Sequence, residues 1–277
     1  MTHQPADVSV AISDPGEVDR DVQNRGDRLL VFVGNQVAWL FPVLVAAICA
    51  QVLLRGAGMN QAWLDDLQWW LYGVISLVGV GYAVTTGAHV RIDILHNRFP
   101  ERRKGVIEVF ALTWFLLPFL LLCWDLTLPY AIASVVADEG SDSPNGLHNL
   151  WILKLLVNAS FLVMIIATLA SYARHLARLL RPRLHHLLLC ALPSTLFGFQ
   201  VAMDWLLVLY LRFAHVDPDT GATLGLRQLR RLPAFEPVAT PVGEMAATML
   251  ASIALTLALA LASLLRVGLA RRGSREG

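Results

Sequence analysis

Six apolar segments of membrane-spanning length occupy most of this chain, and no stretch between them is long and polar enough to build a sizeable soluble domain. They run about Leu29–Leu54, Leu67–Thr85, Val106–Leu126, Leu150–Tyr172, Leu184–Phe213 and Gly243–Leu265. A bilayer-crossing helix takes about 20 apolar residues. Lipid forces every backbone polar group to be satisfied within its own segment, so helix is expected for all six. The alternation of a barrel strand is absent. Composition agrees: 56% of residues are hydrophobic and 16% charged, with a mean hydropathy of +0.56, against about 25% charged in an ordinary soluble domain. Disordered, collagen-like and disulfide-scaffold chains are excluded on the same ground. The expected fold is all-α, a polytopic membrane helical bundle. It has a polar N-terminal tail (1–28), a four-helix membrane core (29–180) and a C-terminal extension (181–277). The extension holds two further membrane segments joined by an extramembrane loop (214–242).

Arginine and lysine placement sets the expected orientation, because such residues accumulate in cytoplasmic loops. Arg20, Arg25 and Arg28 precede the first segment, and Arg91, Arg98, Arg102, Arg103 and Lys104 separate the second from the third. Arg174, Arg178, Arg181 and Arg183 follow the fourth, and Arg266, Arg271, Arg272 and Arg275 end the sixth. The loop Thr127–Asn149 has no Lys or Arg and carries Asp138, Glu139 and Asp142. Both termini are therefore expected inside. The discord is Arg227, Arg230 and Arg231 in the nominally external fifth-to-sixth loop. It implies either a folded external cap or a fifth segment that does not fully cross. With a net charge of +1 there is no basic excess to attract nucleic acid. Residues 1–28 are polar and no small-residue cleavage site follows, so the first segment reads as a retained anchor rather than a secretory signal. Cys49, Cys123 and Cys190 each lie in an apolar run and are expected as small buried hydrophobes.

Within the segments, Gly79, Ala83 and Gly87 recur at intervals of four, a spacing that lets a neighbouring helix approach closely. Ala254, Ala258 and Ala262 repeat it in the sixth. Pro42 and Pro118 are expected to kink the first and third segments. Asn35, Gln36, Asp125 and Asn158 lie near segment ends, where hydration or helix-to-helix bonding suffices. Asp204 is deeper. An ionised carboxylate in lipid is costly, so a break at Ala202–Asp204 that places it in water is the expectation, with a transport-site carboxylate as the alternative. Trp63, Trp69 and Trp70 belong at headgroup level, and Gln61–Trp70 reads as a short interfacial helix before the second segment. Asp65 and Asp66 among these tryptophans are not accounted for by anchoring.

The most informative stretch is Gly87 to Leu95, Gly-Ala-His-Val-Arg-Ile-Asp-Ile-Leu, followed by Phe99-Pro-Glu-Arg-Arg. Val90, Ile92 and Ile94 alternate with Arg91 and Asp93, a strand-like or re-entrant period. An Arg and an Asp two apart at a membrane interface can each take a partner from another helix. The blander reading is a solvated turn fixed by Phe99-Pro100.

Here the chain resembles the small membrane subunit of the tripartite ATP-independent periplasmic (TRAP) transporters. That family has a Trp and an acidic residue before the second span and a His-Val-Arg-hydrophobic-Asp element after it. This chain has Trp63, Asp65 and Asp66, then His89, Val90, Arg91, Ile92 and Asp93. Arg55 closing the first span, the Ser141 to Leu147 stretch and Lys154 are further echoes, and the resemblance covers about Gly26 to Leu180. The chain departs from the family in having Asp where Glu is usual before the second span, and Gly56 where an aromatic usually follows Arg55. Residues beyond about 182 lie outside the four-helix unit.

The resemblance implies a non-enzymatic scaffold in a bacterial inner membrane. It would pack against a large permease subunit that holds the substrate and sodium sites. A periplasmic solute-binding protein would deliver the substrate, typically an organic acid. Arg91 and Asp93, with His89, would lock a helix junction or the subunit seam. Trp63, Asp65, Asp66 and Arg55 would lie where permease or binding-protein contacts form. No cofactor or metal is implied. The residues leave two rivals open: a stand-alone channel or transporter, for which Asp204 is the specific support, and an assembly subunit of another membrane complex. His-Glu-x-x-His, Gly-x-Ser-x-Gly and phosphate-loop elements are absent. The histidines lie in loops or at segment ends, which argues against an anchor for haem.

Overall fold

The structure is a computed structural model that describes residues 16, 20–88, 98–215, 224–241 and 243–273. Its helices are α1 (Arg25–Ala38), α2 (Leu40–Gly56), α3 (Ala62–Thr86), α4 (Glu101–Phe110), α5 (Leu117–Val136), α6 (Leu150–Leu179), α7 (Leu184–Cys190), α8 (Leu192–Ala214), the single turn α9 (Leu226–Leu229) and α10 (Ala247–Gly273). A π-helical segment, Ala111–Leu116, joins α4 to α5, and a hairpin of β1 (Pro237–Thr240) and β2 (Gly243–Ala246) precedes α10. Six helical stretches among the described residues are long and apolar enough to cross a membrane: 25–56, 62–86, 101–136, 150–179, 192–214 and 247–267. The all-α membrane bundle expected from the sequence is the fold observed.

Helix α6 is the axis of the bundle, packing against α3 and α5 and also touching α1 and α4. Its seam with α3 closes at Gly81, where an added Cβ would stand 3.5 Å from Met164 Cγ and 3.8 Å from the Ala167 Cβ. On the other side Met164 and Ile165 pack with Leu117 and Leu120 of α5. Nearer the α4 end, Val109, Tyr172, Leu176 and Ala191 form a second cluster that reaches into the extension.

The helix breaks follow proline chemistry. The first span kinks at Trp39, one turn before Pro42, whose missing N–H leaves the Ala38 carbonyl without its α-helical donor. In the third span the amide of Leu117 bonds to the carbonyl of Leu112, five residues back. The next donor in that register would be residue 118, a proline. The Thr113 carbonyl is thus left free, and Ser194 Oγ of α8 donates to it. Trp114 Nε1 donates to the Cys190 carbonyl at 3.0 Å, closing the same junction. The extension is docked on the backbone irregularity that Pro118 creates.

Four expectations are corrected. Gln61–Trp70 is not a separate interfacial helix, because α3 runs unbroken from Ala62 and takes Asp65 into its first turn. The fifth segment breaks at Ala191, just before Pro193, and is continuous through Gly198 and Asp204. Pro193 sits in the first turn of α8, where its missing N–H is harmless. The sixth helix begins at Ala247, because Gly243–Ala246 pairs as a strand with Pro237–Thr240. Cys49 is exposed on the surface of α2 rather than buried.

Candidate functional site

The ion pairs of the described core gather at its two ends. We call these the acidic end, which carries the loop from Ala137 to Asn149, and the basic end, which carries the start of α4 and the finish of α6.

At the acidic end, Arg55 closes α2 and reaches across the turn to Asp65 in the first turn of α3, with Nη2 3.2 Å from Oδ2 and 3.3 Å from Oδ1. Gly58 makes that turn possible with φ +79°, a conformation in which glycine carries no Cβ penalty. Asp66, one residue on, turns inward and accepts the Leu147 amide at 2.9 Å. The neighbouring Gly146 leaves no room for a side chain, since a Cβ there would lie 2.4 Å from Ser141 Oγ and 2.7 Å from Asp66 Oδ2. Lys154 anchors the other side of the loop. Its ammonium bonds Glu139 and lies 3.8 Å over the Tyr130 ring, a cation–π arrangement. The bond from Lys154 holds the Glu139 carboxyl below the usual carboxylate range. Trp63 Nε1 donates to Gln61 Oε1 at 3.1 Å, while its ring and that of Trp69 stay exposed. Arg55, Trp63, Asp65 and Asp66 are therefore brought together at one end of the bundle.

At the basic end the key pair was not legible in advance. Asp27 is fully buried, and its Oδ2 lies 2.7 Å from Arg174 Nη1. Asp27 also closes a capping box with Asn24, each backbone amide donating to the other's side chain at 3.0 Å. Asn24 Nδ2 donates to the Ala170 carbonyl and Arg174 Nη2 to the Thr85 carbonyl, both at 2.8 Å. One charge pair thus ties α1, the last turn of α3 and α6. The Asn-x-x-Asp box can be read locally, but nothing in the sequence points from it to Arg174, which reads only as a topology charge.

His89, Arg91 and Asp93 lie outside the described residues. The chain enters that segment through Gly87, whose left-handed φ of +67° ends α3. Gly87 thus serves as the C-cap of α3. Gly79 has nothing within 4 Å of its Cβ position, and Gly81 makes the close approach to α6. The stripe Gly79, Ala83, Gly87 is not the face that α3 packs on α6. That face includes Leu77, Gly81 and Thr85.

Several further intramembrane polar groups bond between helices, whereas Ser160, Thr168 and Thr256 donate back to their own helix. Asn158 donates to the Trp124 carbonyl at 3.0 Å and Thr127 Oγ1 at 2.8 Å. Asp125 accepts from Trp205 Nε1 at 2.8 Å. Asp204, half-buried in unbroken helix, is neighboured by Thr248, Asp125 and Arg230, and the Arg230 guanidinium stands 5.5 Å from the Trp205 ring centroid. The discordant arginine loop is folded back on α8: Leu229 packs with Val208 and Leu211. This is the folded cap that the sequence offered as one alternative.

These features define a class: a multi-pass helical membrane protein in which several intramembrane polar side chains tie helices to one another. Residues 44–178 match the family model described as the DctQ component of tripartite ATP-independent periplasmic transporters, and over that stretch the chain belongs to this family. It is a small permease component of a TRAP transporter, a transporter family rather than an enzyme family. The match covers α2 to α6 and stops before the extension. No curated protein and no solved structure matches the chain.

Proposed function

We propose that this chain is the small permease subunit of a sodium-coupled secondary transporter in a bacterial inner membrane. It scaffolds the large permease subunit for uptake of an organic acid delivered by a periplasmic solute-binding protein. The basic end faces the cytoplasm with both termini, and the acidic end faces the periplasm. The observation that carries the reading is the family match over the helical core, joined to the way that core presents itself. Phe41, Val45, Ile48 and Val52 of α2 are exposed, so the first span has an apolar face free for another subunit. Association in lipid rests on packing and a few polar contacts, each worth about 1 kcal/mol or less, so a long seam is required.

In this reading His89, Arg91 and Asp93 lock a helix junction or the subunit seam on the cytoplasmic side. Arg55, Trp63, Asp65 and Asp66 form a periplasmic surface for the permease or the binding protein. Gly79 and Ala83 lie on a side of α3 that a partner helix can approach. The test is sodium-driven uptake in vesicles containing this chain, its permease and the binding protein. Uptake should require all three and fall when Arg91 and Asp93 are both replaced by Ala. Unchanged uptake without this chain contradicts the proposal.

A further inference from the structure

Between the first turns of α4 and the last turns of α6 lies a cleft of about 510 Å³, floored by Gly105 and Leu179. Its charged groups are unequally satisfied. Lys104 is paired with Glu101 at 2.7 Å, and Glu108 and His175 are each engaged by another group. Arg102 and Arg178 also line the cleft, one from each wall, and both are exposed. Among the described residues neither makes an ion pair or hydrogen bond through its side chain. The α4 terminus adds to the positive field. Pro100 caps it with no side-chain acceptor, and its carbonyl takes the amides of Arg103 and Lys104. The first amides of the helix therefore remain directed at this end.

An apolar face of α4 begins beside the cleft at Arg102. Arg102, Val106 and Phe110 follow one another at intervals of four along one face of α4. Val106 is 53% and Phe110 46% exposed. Phe110 stacks on Trp114 at 5.2 Å, continuing the apolar track along the span. Two unpaired guanidinium groups at the head of an apolar track fit a ligand with an anionic head and a hydrocarbon tail. Arginine suits phosphate in particular, because its planar fork donates two parallel hydrogen bonds. We propose that this cleft holds the phosphate headgroup of an anionic phospholipid, with an acyl chain lying along Val106 and Phe110. The site belongs to this chain alone, and it rests on the reading of the chain as membrane-embedded, not on the identity of its partners.

The test is native mass spectrometry of the full chain, purified alone in mild detergent, with phosphatidylglycerol or phosphatidylcholine added. Phosphatidylglycerol should be retained in preference to phosphatidylcholine. Retention should weaken by roughly 5-fold for each arginine removed in Arg102→Gln and Arg178→Gln, while Arg227→Gln at the opposite end leaves it unchanged. Val106→Ser with Phe110→Ser should weaken retention without altering the charge. Equal retention of the two lipids overturns the proposal, as does retention unaffected by the double arginine variant. Displacement of the lipid by millimolar inorganic phosphate overturns the lipid assignment in favour of a free anion. Because no permease is present, failure here leaves the subunit assignment intact, and loss of that assignment leaves this result standing.

Discussion

Arg174 and Asp27 stand 147 residues apart in sequence yet meet at 2.7 Å, with the aspartate fully buried and the arginine side chain 11% exposed. Taking two charges out of water is expensive, and such a pair is tolerable only when further hydrogen bonds complete it. Here Asn24 supplies one to Asp27 Oδ2 and Thr85 accepts one from the guanidinium, while Asp27 Oδ1 is buried without a hydrogen-bond partner among the described residues. The pair therefore holds three helix ends in one arrangement, immediately before the His-Val-Arg-Ile-Asp segment.

Removing one partner should be strongly destabilising, because the other charge is left buried. Arg174→Ala or Asp27→Ala is expected to cost about 3–5 kcal/mol, read as a lowered unfolding midpoint in detergent. The double replacement Asp27→Leu with Arg174→Met should recover much of the loss. Single variants as stable as the parent would contradict the buried-pair account.

Arg55→Ala should behave differently. The Arg55 and Asp65 side chains are 61% and 42% exposed, and exposed pairs of this kind contribute about 0–1 kcal/mol. The variant should keep its unfolding midpoint within a degree or two of the parent. If it nevertheless fails to assemble with a permease, Arg55 acts through contact rather than through folding.

The glycine assignments separate cleanly by substitution. Gly81→Leu forces a bulky group against Met164 and Ala167 and should cost about 1–3 kcal/mol by overpacking. Gly79→Leu meets open space within the chain and should leave its stability unchanged. Equal effects at both positions would show that the α3–α6 seam is wrongly drawn.

Docking of the extension can be tested as a cycle. Ser194→Ala leaves the Thr113 carbonyl without a donor and should loosen the extension by about 1 kcal/mol or less. Pro118→Ala restores a backbone N–H to the third span, so in that background the Ser194→Ala effect should shrink. Additive effects in the double variant would contradict the coupling.

At the acidic end, the Glu139 carboxyl is held below its ordinary range by Lys154. A carboxylate with a depressed folded-state pKa lends stability above its unfolded value, about 4.3. That stability is lost as pH falls through the folded value. Glu139→Gln should therefore remove an acid-dependent component of loop protection seen by hydrogen exchange of Ser141 to Leu147. Protection that is pH-independent in both proteins would contradict this.

How much was legible beforehand follows from the range of each signal. Apolar runs are local, so six helices and the four-helix core could be read directly. The first two turns of α3 were misread because Asp65 and Asp66 interrupt the apolar pattern, although each is satisfied in the fold, by Arg55 and by the Leu147 amide. Arg55, Trp63, Asp65 and Asp66 were readable as a motif, but the bond that Asp66 takes from the Leu147 amide was not. Asp204 misled because hydropathy predicts a break, whereas side chains from α10 and the arginine cap surround it in intact helix. The π-helical segment and the Asp27–Arg174 pair depend on register and on distant contacts, for which one sequence carries no periodic trace. Gly81 escaped for a simpler reason: it falls outside the i, i+4 series that singled out Gly79.

The most direct test of the central claim is affinity purification of the chain from its native membrane in mild detergent, with partners identified by mass spectrometry. A large multispan permease recovered in stoichiometric amount, with a periplasmic solute-binding protein, is the predicted result. Recovery of the chain alone, or only as a homo-oligomer, would contradict its role as a permease scaffold.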